Sequence, residues 1–459
     1  MLNGTVLERL APKLRGELIG PEDTAYDEAR AVWNGMIDRR PALIVRCAGV
    51  ADVIQAVRFA REHDLVVAVR GGGHNIAGSA VCDGGVVIDL SAMRAARVDP
   101  AGRTARVQGG ATLGDLDHEA QAFGLATPGG VVSTTGVAGL TLGGGFGWLA
   151  RKHGLAVDNL LSVDLITADG RLVTASGREE PELFWGVRGG GGNFGVVTSF
   201  EFRLHPLGPE VLFGPTVYRL EDAARVLRTY RDFAAKAPRD CCVWADLLTA
   251  PPLPFLPERH HGTKVLSLMQ FWAGDMAEGE AVLAPLRGCA EPIGDAVGPT
   301  PYTAAQSILD KTYAKGARNY WSGHNFVDLP DPVIDALVEA AAGMPTAQSD
   351  ILVSQLGGAI RDVAPDATAY PHRDVTFLVT PGARWTNPAQ DEACIAWVRE
   401  AFATAAAHAA GGSYVNFIAE TEGRERDAYG VNYDRLAALK ARYDPDNFFR
   451  LNQNVQPSL

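Results

Sequence analysis

The sequence predicts an α+β protein with two domains. The chain has 459 residues, which is long for one ordinary domain. Hydrophobic residues make up 47% of it and charged residues 21%, so we expect a large folded core. Glycine clusters end near residue 200, and amphipathic helices alternating with strands follow. We therefore expect a first domain over residues 1–205 (core about 38–205), a second over 206–428, and a return to the first over 429–459.

Composition argues against several classes of partner. The net charge of −12 disfavours nucleic acid and anionic membranes, because both attract clustered Lys and Arg. The six cysteines show no CxxC spacing, so we expect reduced thiols, without a disulfide framework or a metal site. The N-terminal residues lack an apolar segment typical of secretion or membrane insertion. We expect a cytoplasmic monomer or homodimer.

The first domain is expected to begin with a βαβ unit after a helical lead-in and polar segment over residues 1–40. Residues 43–45 and 65–69 are short apolar runs typical of core strands, and apolar residues at helical spacing occupy 50–60 between them. The later strands of this domain are predicted at 85–90, 96–99, 104–107, 161–167, 171–174 and 196–202. Helices are predicted at 113–123 and 182–187.

The loop Arg70-Gly71-Gly72-Gly73-His74 follows the second of these core strands. Three glycines without side chains allow backbone N–H groups to approach a phosphate, and Arg70 would add a positive charge there. A glycine-rich loop alone is weak evidence, since a plain turn between strands has the same composition. The histidine at the end of the loop favours a binding function.

Two further glycine-rich stretches occur at 136–147 and 188–195. In the second, Gly190, Gly192 and Gly195 satisfy the GxGxxG pattern formally. A dinucleotide-binding motif should follow a strand and open a helix, whereas here a predicted helix precedes it and a strand follows. The sequence therefore argues against a Rossmann-type site.

The second domain is predicted from longer amphipathic helices that alternate with strands. Its helices are expected at 223–235, 276–286, 332–342 and 390–409, and its strands at 265–271, 351–355 and 375–379. The last thirty residues become polar and aromatic again, which is why we expect them to rejoin the first domain.

Four segments together carry a family resemblance: 69–74, 127–147, 188–197, and 443–454 near the C-terminus. In this order they resemble FAD-linked oxidases of the vanillyl-alcohol oxidase fold, in the berberine bridge enzyme branch with its bacterial hydroxynicotine oxidases. The resemblance covers essentially the whole chain. It implies an FAD-binding domain of small α/β subdomains of the PCMH type and a substrate domain with an antiparallel sheet covered by helices.

The resemblance implies that His74 bonds covalently to the 8α-methyl of the flavin. Taken alone, a single histidine is more often structural. Many relatives carry a second tether, a cysteine, where this sequence has Val132, so a single link through His74 is expected. The other residues implied to bind the cofactor are Arg70, Gly71, Gly72, Gly73, Asn75, Ser79, Gly129, Thr134, Gly136, Gly139, Asn193, Gly195, Val197, Asn452 and Asn454. For the last two, an ordinary role in turns is the alternative.

The resemblance implies that Tyr414 is the catalytic base. Tyr320 and His324 are the other candidate catalytic residues, because with Trp321 they form an aromatic-rich cluster that could line the substrate cavity. A tyrosine base near neutral pH needs its pKa lowered from about 10, and Arg318, His324 and His372 are candidate cations for this. Tyr414 could instead pack a domain interface, and Tyr320 and His324 could belong to an ordinary core strand. An amine substrate would need no strong base.

These features favour an FAD-dependent oxidase that acts on a secondary alcohol or amine of a small or medium organic molecule. Molecular oxygen is the expected electron acceptor and hydrogen peroxide the product. An oxidative cyclase or tailoring enzyme with the same flavin is one alternative. A non-catalytic flavin-binding protein is another.

Overall fold

The computed structural model describes residues 8–420 and 423–458. The predicted helical lead-in begins outside these residues, and its described part includes the short helix α1 (Tyr26–Arg30). The strands of the first unit are β1 (Glu17–Ile19), β2 (Leu43–Arg46), β3 (Val67–Arg70), β4 (Val86–Asp89), β5 (Ala96–Asp99), β6 (Thr104–Gln108), β7 (Leu125–Ala126), β8 (Leu160–Ile166), β9 (Leu172–Ser176), β10 (Val196–Arg203) and β11 (His205–Pro206). Its further helices are α2 (Val50–Glu62), α3 (Leu113–Gln121), α4 (Val137–Leu142), α5 (Ala150–His153) and α6 (Pro181–Val187).

Two small sheets build the first unit. One has the strand order β1-β2-β4-β3, with β2, β4 and β3 parallel, which confirms the predicted βαβ unit around α2. The other has the order β5-β6-β10-β8-β9 and is antiparallel, which confirms the two predicted hairpins. Helix α3 begins at a capping box in which Thr112 and Asp115 satisfy each other's backbone N–H groups.

The second unit contains one large sheet covered by helices. Its strands are β12 (Glu210–Arg219), β13 (Cys241–Thr249), β14 (Lys264–Trp272), β15 (Gly294–Asp295), β16 (Gly298–Pro301), β17 (Arg318–Trp321), β18 (His324–Phe326), β19 (Asp350–Gln355) and β20 (Phe377–Trp385). Its helices are α7 (Ala223–Ala234), α8 (Met276–Arg287), α9 (Tyr302–Ser307), α10 (Asp331–Ala342) and α11 (Asp391–Ala406). The predicted helices and strands are confirmed, while the strands β12, β13, β15 and β16 and the short helix α9 were not predicted.

This sheet is antiparallel, with the order β15-β12-β14-β13-β19-β20-β17. Because side chains alternate along a strand, each strand has two different faces. One face packs a hydrophobic core against helices such as α7 and α10, through residues such as Leu247, Leu266 and Val353. The other face is directed toward the first unit and lines a cavity. The predicted α+β architecture with an antiparallel, helix-covered sheet is therefore confirmed.

The C-terminal residues pack against the first unit through α12 (Glu425–Tyr429) and α13 (Tyr433–Tyr443). Lys440 on α13 and Asp444, the residue just after its end, form a fully buried ion pair of 2.7 Å. The Lys440 ammonium also donates hydrogen bonds to the backbone oxygens of Asn193 and Phe449, each at 2.8 Å. These bonds hold the C-terminal segment beside the third glycine-rich loop.

Candidate active site between the two units

A single large cavity of about 750 Å³ extends from the glycine loops of the first unit to the open face of the large sheet. Its walls are mostly apolar and aromatic. Among the described residues that line it there is no Lys, Arg or Glu, and the lining carboxylates are Asp246 and Asp350. Apolar walls with a few convergent polar groups are typical of a small-molecule or cofactor site.

The first glycine loop forms one wall by approaching another loop backbone to backbone. A Cβ atom added at Gly72 would lie 2.4 Å from the backbone nitrogen of Gly136, and one added at Gly136 would lie 2.4 Å from the nitrogen of Gly72. Any larger residue at either position would push the two loops apart. The glycines are therefore required for the shape of this wall.

His74 lies at the end of this loop and lines the cavity. Its ring stacks on Trp33 with 5.3 Å between centroids, and its Nε2 lies 3.1 Å from the hydroxyl of Thr134. Burial lowers the pKa of His74 to about 4. The imidazole is therefore neutral near pH 7, and a ring nitrogen carries a free electron pair.

Arg70 does not play the role expected from the sequence. Its guanidinium forms a buried ion pair of 2.7 Å with Asp89 at the adjacent end of β4, and Arg70 does not line the cavity. A buried cation must be paired to offset its lost hydration, and here the partner is a strand residue. Arg70 holds the sheet together below the loop, and the loop offers backbone N–H groups alone.

The other expected cofactor residues divide into two groups. Those that line the cavity are Gly71, Gly72, Gly73, His74, Asn75, Ser79, Gly136, Gly139, Gly195, Val197 and Asn452. Those behind its lining are Arg70, Gly129, Thr134, Asn193 and Asn454. Thr134 still reaches the site through His74, and Gly129 packs against Leu113.

Asn193 has a structural role instead of a direct one. Its amide nitrogen donates to the carbonyl oxygens of Gly190 and Gln453, at 2.8 and 3.1 Å, and its oxygen accepts from the N–H of Val455 at 3.0 Å. The bonds to Gln453 and Val455 join the third glycine loop to the C-terminal segment, and the bond to Gly190 lies within that loop. The expected contact of Asn193 with the flavin is corrected to this cross-link.

Tyr414 lies in the cavity wall among Phe146 and Phe417, at centroid distances of 4.8 and 5.0 Å. Its hydroxyl oxygen accepts hydrogen bonds from the N–H of Gly145 at 3.2 Å and from the amide of Asn416 at 2.9 Å. Burial raises the pKa of Tyr414 to about 12. Near neutral pH the hydroxyl is therefore uncharged, and its own proton remains available for donation.

The cations proposed to activate Tyr414 are bonded elsewhere. Arg318 forms an ion pair with Asp391, His324 stacks on Phe402 with centroids 3.6 Å apart, and the His372 Nε2 atom lies 3.1 Å from the carbonyl oxygen of Ala428. The expectation of a tyrosine with a lowered pKa is wrong, because the hydroxyl is buried without an adjacent cation.

Tyr320 and His324 do not line the cavity, so their expected catalytic roles are corrected. The Tyr320 hydroxyl donates to Glu420 at 2.8 Å on the outer side of the sheet. The Nε2 atom of His324 lies 3.1 Å from the Phe402 carbonyl oxygen of α11. Alternation along β17 instead places Trp321 in the lining. The sequence identifies this aromatic cluster as a candidate for the cavity lining, but it does not give the strand register.

Sequence reasoning missed Asp246 and Asp350, which lie on β13 and β19 of the cavity face. Asp246 falls on a strand that was not predicted, and Asp350 precedes the first residue of its predicted strand. An acidic residue within an apolar strand was the available signal.

The cavity fits an FAD molecule. A Cβ added at Gly139 would meet no atom within 4 Å, and one added at Gly192 would meet only the Asn452 amide, at 4.0 Å. Both glycines therefore face open cavity. The side-chain oxygens of Asn452 and Gln453 are buried in the lining without a hydrogen-bond partner among the described residues. Glycine-lined space with unpaired polar atoms suits a flat, polar ring system and its diphosphate.

Comparison with known proteins agrees with this site. A family profile described as an FAD binding domain matches residues 41–176, and one described as berberine and berberine like matches residues 413–456. (R)-6-hydroxynicotine oxidase of Paenarthrobacter nicotinovorans is 33% identical over 463 residues, covering 97% of each chain. An uncharacterized FAD-linked oxidoreductase of Bacillus subtilis (strain 168) is 32% identical over 453 residues, covering 97% of this chain and 98% of its own.

Solved structures show the same fold. The crystal structure of 6-hydroxy-D-nicotine oxidase from Arthrobacter nicotinovorans matches with a TM-score of 0.87 at 30% identity, covering 97% of this chain and 98% of its own. A berberine bridge enzyme-like protein of Physcomitrella patens matches with a TM-score of 0.90 at 23% identity, covering 99% of each chain. With relatives above 30% identity along nearly its whole length, this chain belongs to the berberine bridge enzyme-like family of FAD-linked oxidoreductases and is an FAD-dependent oxidoreductase.

Proposed function

We propose that the protein is an oxidase that carries FAD tethered through His74 alone and oxidises a secondary alcohol or amine of a small or medium organic molecule. The observation that carries this proposal is one continuous cavity that joins a neutral histidine at a glycine loop to an aromatic chamber at Tyr414. When bound, FAD supplies a hydride acceptor at N5, and molecular oxygen is the proposed final acceptor.

The residues of the chain have distinct proposed roles. The neutral ring of His74, held between Trp33 and Thr134, keeps an electron pair for the bond to the flavin. The loop around Gly72 binds the diphosphate through backbone N–H groups. Tyr414 donates a hydrogen bond from its hydroxyl to a substrate atom and so orients the substrate, because its own oxygen already accepts two hydrogen bonds. The aromatic walls exclude water.

A single link is proposed because the segment beside the cavity has Val132 in the place where relatives are expected to carry cysteine. Cys82 and Cys241, the cysteines on either side of this segment in sequence, are both buried. Neither is among the residues that line the cavity. Attachment therefore depends on His74.

The tether is tested by acid precipitation. Wild-type protein should stay yellow after denaturation and washing, whereas His74→Ala should become colourless. His153→Ala is the matched control, because His153 stacks on His205 away from the cavity lining, and it should stay yellow. A colourless wild-type pellet, or colour retained by His74→Ala, would contradict the tether.

The chemistry is tested by mixing the holoenzyme with secondary alcohols and amines without oxygen. A substrate should bleach the flavin absorbance, and readmitted air should restore it with formation of hydrogen peroxide. Bleaching without recovery in air would contradict oxygen as the acceptor. A flavin that no alcohol or amine can reduce would contradict the oxidase proposal as a whole.

A further inference from the structure

The two carboxylates in the cavity have no role in the function proposed so far. Asp246 and Asp350 are the acidic residues among the described cavity lining, and no Lys or Arg shares that lining with them. Unpaired carboxylates in an apolar cavity destabilise a protein unless a ligand or a proton satisfies them. A cationic ligand, a bound proton or both must therefore satisfy the two side chains.

The strand pairing brings the two carboxylates together on one face. Asp246 of β13 stands opposite Leu352 of β19, and Asp350 stands opposite Leu248. Asp246 and Asp350 are thus diagonal neighbours, with Cβ atoms roughly 7 Å apart by general sheet geometry. One ligand atom between them can contact both side chains.

Asp350 is held in place by two neighbours that also line the cavity, Tyr313 and Gly382. The Tyr313 hydroxyl donates to its Oδ2 at 2.7 Å. Its Oδ1 lies over Gly382, where an added Cβ would approach to 2.9 Å. Tyr313 also accepts, at its backbone oxygen, a 2.8 Å hydrogen bond from the indole of Trp33, which stacks on His74. Successive contacts therefore connect Asp350 to the proposed flavin anchor.

Unpaired polar atoms surround the pair. Asp246 Oδ1 has no hydrogen-bond partner among the described residues. The same holds for the Thr380 hydroxyl and the Trp244 indole N–H, whose residues line the cavity and are only 6% and 2% exposed. Buried polar atoms are normally paired, so these atoms mark the place of a polar ligand group.

The charge of the site favours a cation. Burial raises the pKa of Asp350 to about 6, so this carboxyl is ionised at pH 7.5 and supplies the negative charge of the site. Burial and the proximity of Asp350 raise the pKa of Asp246 well above its ordinary value, so Asp246 keeps its proton to a higher pH and offers its carbonyl oxygen to an N–H group of the ligand. Arg384 is behind Tyr313, 4.5 Å from that ring, and donates to Asn319 at 2.9 Å. Arg384 forms no salt bridge with either carboxylate among the described residues and does not line the cavity. The cavity side thus presents acidic groups alone.

We propose that Asp246 and Asp350 bind the ammonium group of a protonated amine and so select amines over uncharged alcohols and ethers as substrates. The ammonium proton passes to the Asp350 carboxylate before oxidation, because only the neutral amine has the nitrogen electron pair that supports loss of hydride. This inference rests on the proposed function in one respect, namely that the substrate occupies this cavity. The indoles of Trp244 and Trp321 in the same lining supply aromatic faces that also favour a cation.

The test measures binding, so it does not depend on turnover. N-methylbenzylamine, which is cationic at pH 7.5, and benzyl methyl ether, its uncharged counterpart of similar shape, are titrated calorimetrically into oxygen-free holoenzyme whose flavin has been reduced with dithionite beforehand. The wild type should bind the amine at least about 10-fold more tightly than the ether. In the double variant Asp246→Asn/Asp350→Asn the amine should lose this advantage, and the affinity for the ether should stay within about twofold.

Three further variants make the result specific. Asp350→Glu keeps the charge and should retain the preference for the amine. Asp350→Asn keeps an oxygen for the Tyr313 hydroxyl and tests the charge alone if the double variant does not fold. Asp117→Asn is the matched control, since Asp117 is a buried carboxylate bonded to Gln306 outside the cavity lining, and it should bind like the wild type.

Equal binding of amine and ether by the wild type would overturn the proposal, and so would an unchanged preference in Asp350→Asn. The outcome is separable from that of the proposed function. An enzyme that oxidises no compound but prefers the amine through these aspartates would support the cation site and contradict the oxidase. An enzyme that oxidises amines, and whose preference for the amine is unchanged by both substitutions, would support the oxidase and contradict the cation site.

Discussion

At the scale of single residues, Tyr414 shows how environment changes the role that a residue type suggests. A tyrosine was expected to act as a base, which requires a lowered pKa. Burial instead raises it to about 12, and the N–H of Gly145 and the amide of Asn416 both donate to the hydroxyl oxygen. The hydroxyl is suited to donate a proton in a hydrogen bond and unsuited to remove one.

Replacement of Tyr414 by Phe should lower kcat roughly 100-fold, because a buried donor to the substrate is lost. The pH profile of the wild type should show no inflection from Tyr414 between pH 6 and 9, since the group stays protonated there. Steady-state kinetics over that range measures both effects. Tyr320→Phe, which changes a hydroxyl outside the cavity lining, should leave kcat nearly unchanged. A Tyr414→Phe enzyme with normal kcat would contradict the donor role.

At the scale of elements, the glycine loops were predictable because their chemistry is local. The absence of side chains at residues 71–73 indicates that another group comes close to this backbone, whichever group that is. Which partner approaches is a tertiary fact: Gly72 meets Gly136 of a different loop. The same limit explains Tyr320 and His324. Their aromatic segment was predicted to line the cavity, but pairing of β17 and β18 with β20 decides which side chains face it, and of this cluster only Trp321 is in the lining.

Gly72→Ala should weaken binding of FAD. The added Cβ would lie 2.4 Å from the backbone of Gly136, so the two loops would have to move apart. We expect a loss of about 1–3 kcal/mol in stability and a lower ratio of flavin to protein absorbance after purification. Gly177→Ala is the matched control, because no atom lies within 4 Å of its added Cβ. Full flavin content in Gly72→Ala would show that the loops can separate without consequence.

At the scale of the whole molecule, the cavity is produced by joining two units. The first unit supplies the histidine and the glycine loops. The second unit supplies the sheet, and the face of the sheet directed toward the first unit forms the opposite wall of the cavity. The chain then returns through Lys440 and Asp444 to hold the third loop. None of the described helices is long and apolar enough to cross a membrane.

The carboxylate pair should reduce stability in a pH-dependent way. In the unfolded chain Asp246 loses its proton near a pKa of about 3.9, whereas the folded protein holds it to a higher pH. The contribution of Asp246 to the free energy of unfolding is therefore most favourable below pH 4, and it becomes less favourable as the pH rises. Asp246→Asn should be more stable than wild type by about 1–3 kcal/mol at pH 8 and by less at pH 5.

Denaturant unfolding of the two holoenzymes at both pH values measures this difference. Asp434→Asn, which changes an exposed acid on α13, is the control and should show no such gain. An equal gain for Asp246→Asn at pH 5 and pH 8 would contradict a proton-linked origin.

The sequence by itself determined the α+β class, most helices and strands, the glycine loops and the histidine at the end of the first loop, because each depends on local spacing and side-chain size. Only the tertiary structure decided that Arg70 pairs with Asp89, that Asn193 binds the C-terminal segment, and that Asp246 and Asp350 share the cavity. The physical reason is that strand register and long-range pairing decide which neighbours a charge meets, and a local pattern contains no information about residues that are distant in the chain.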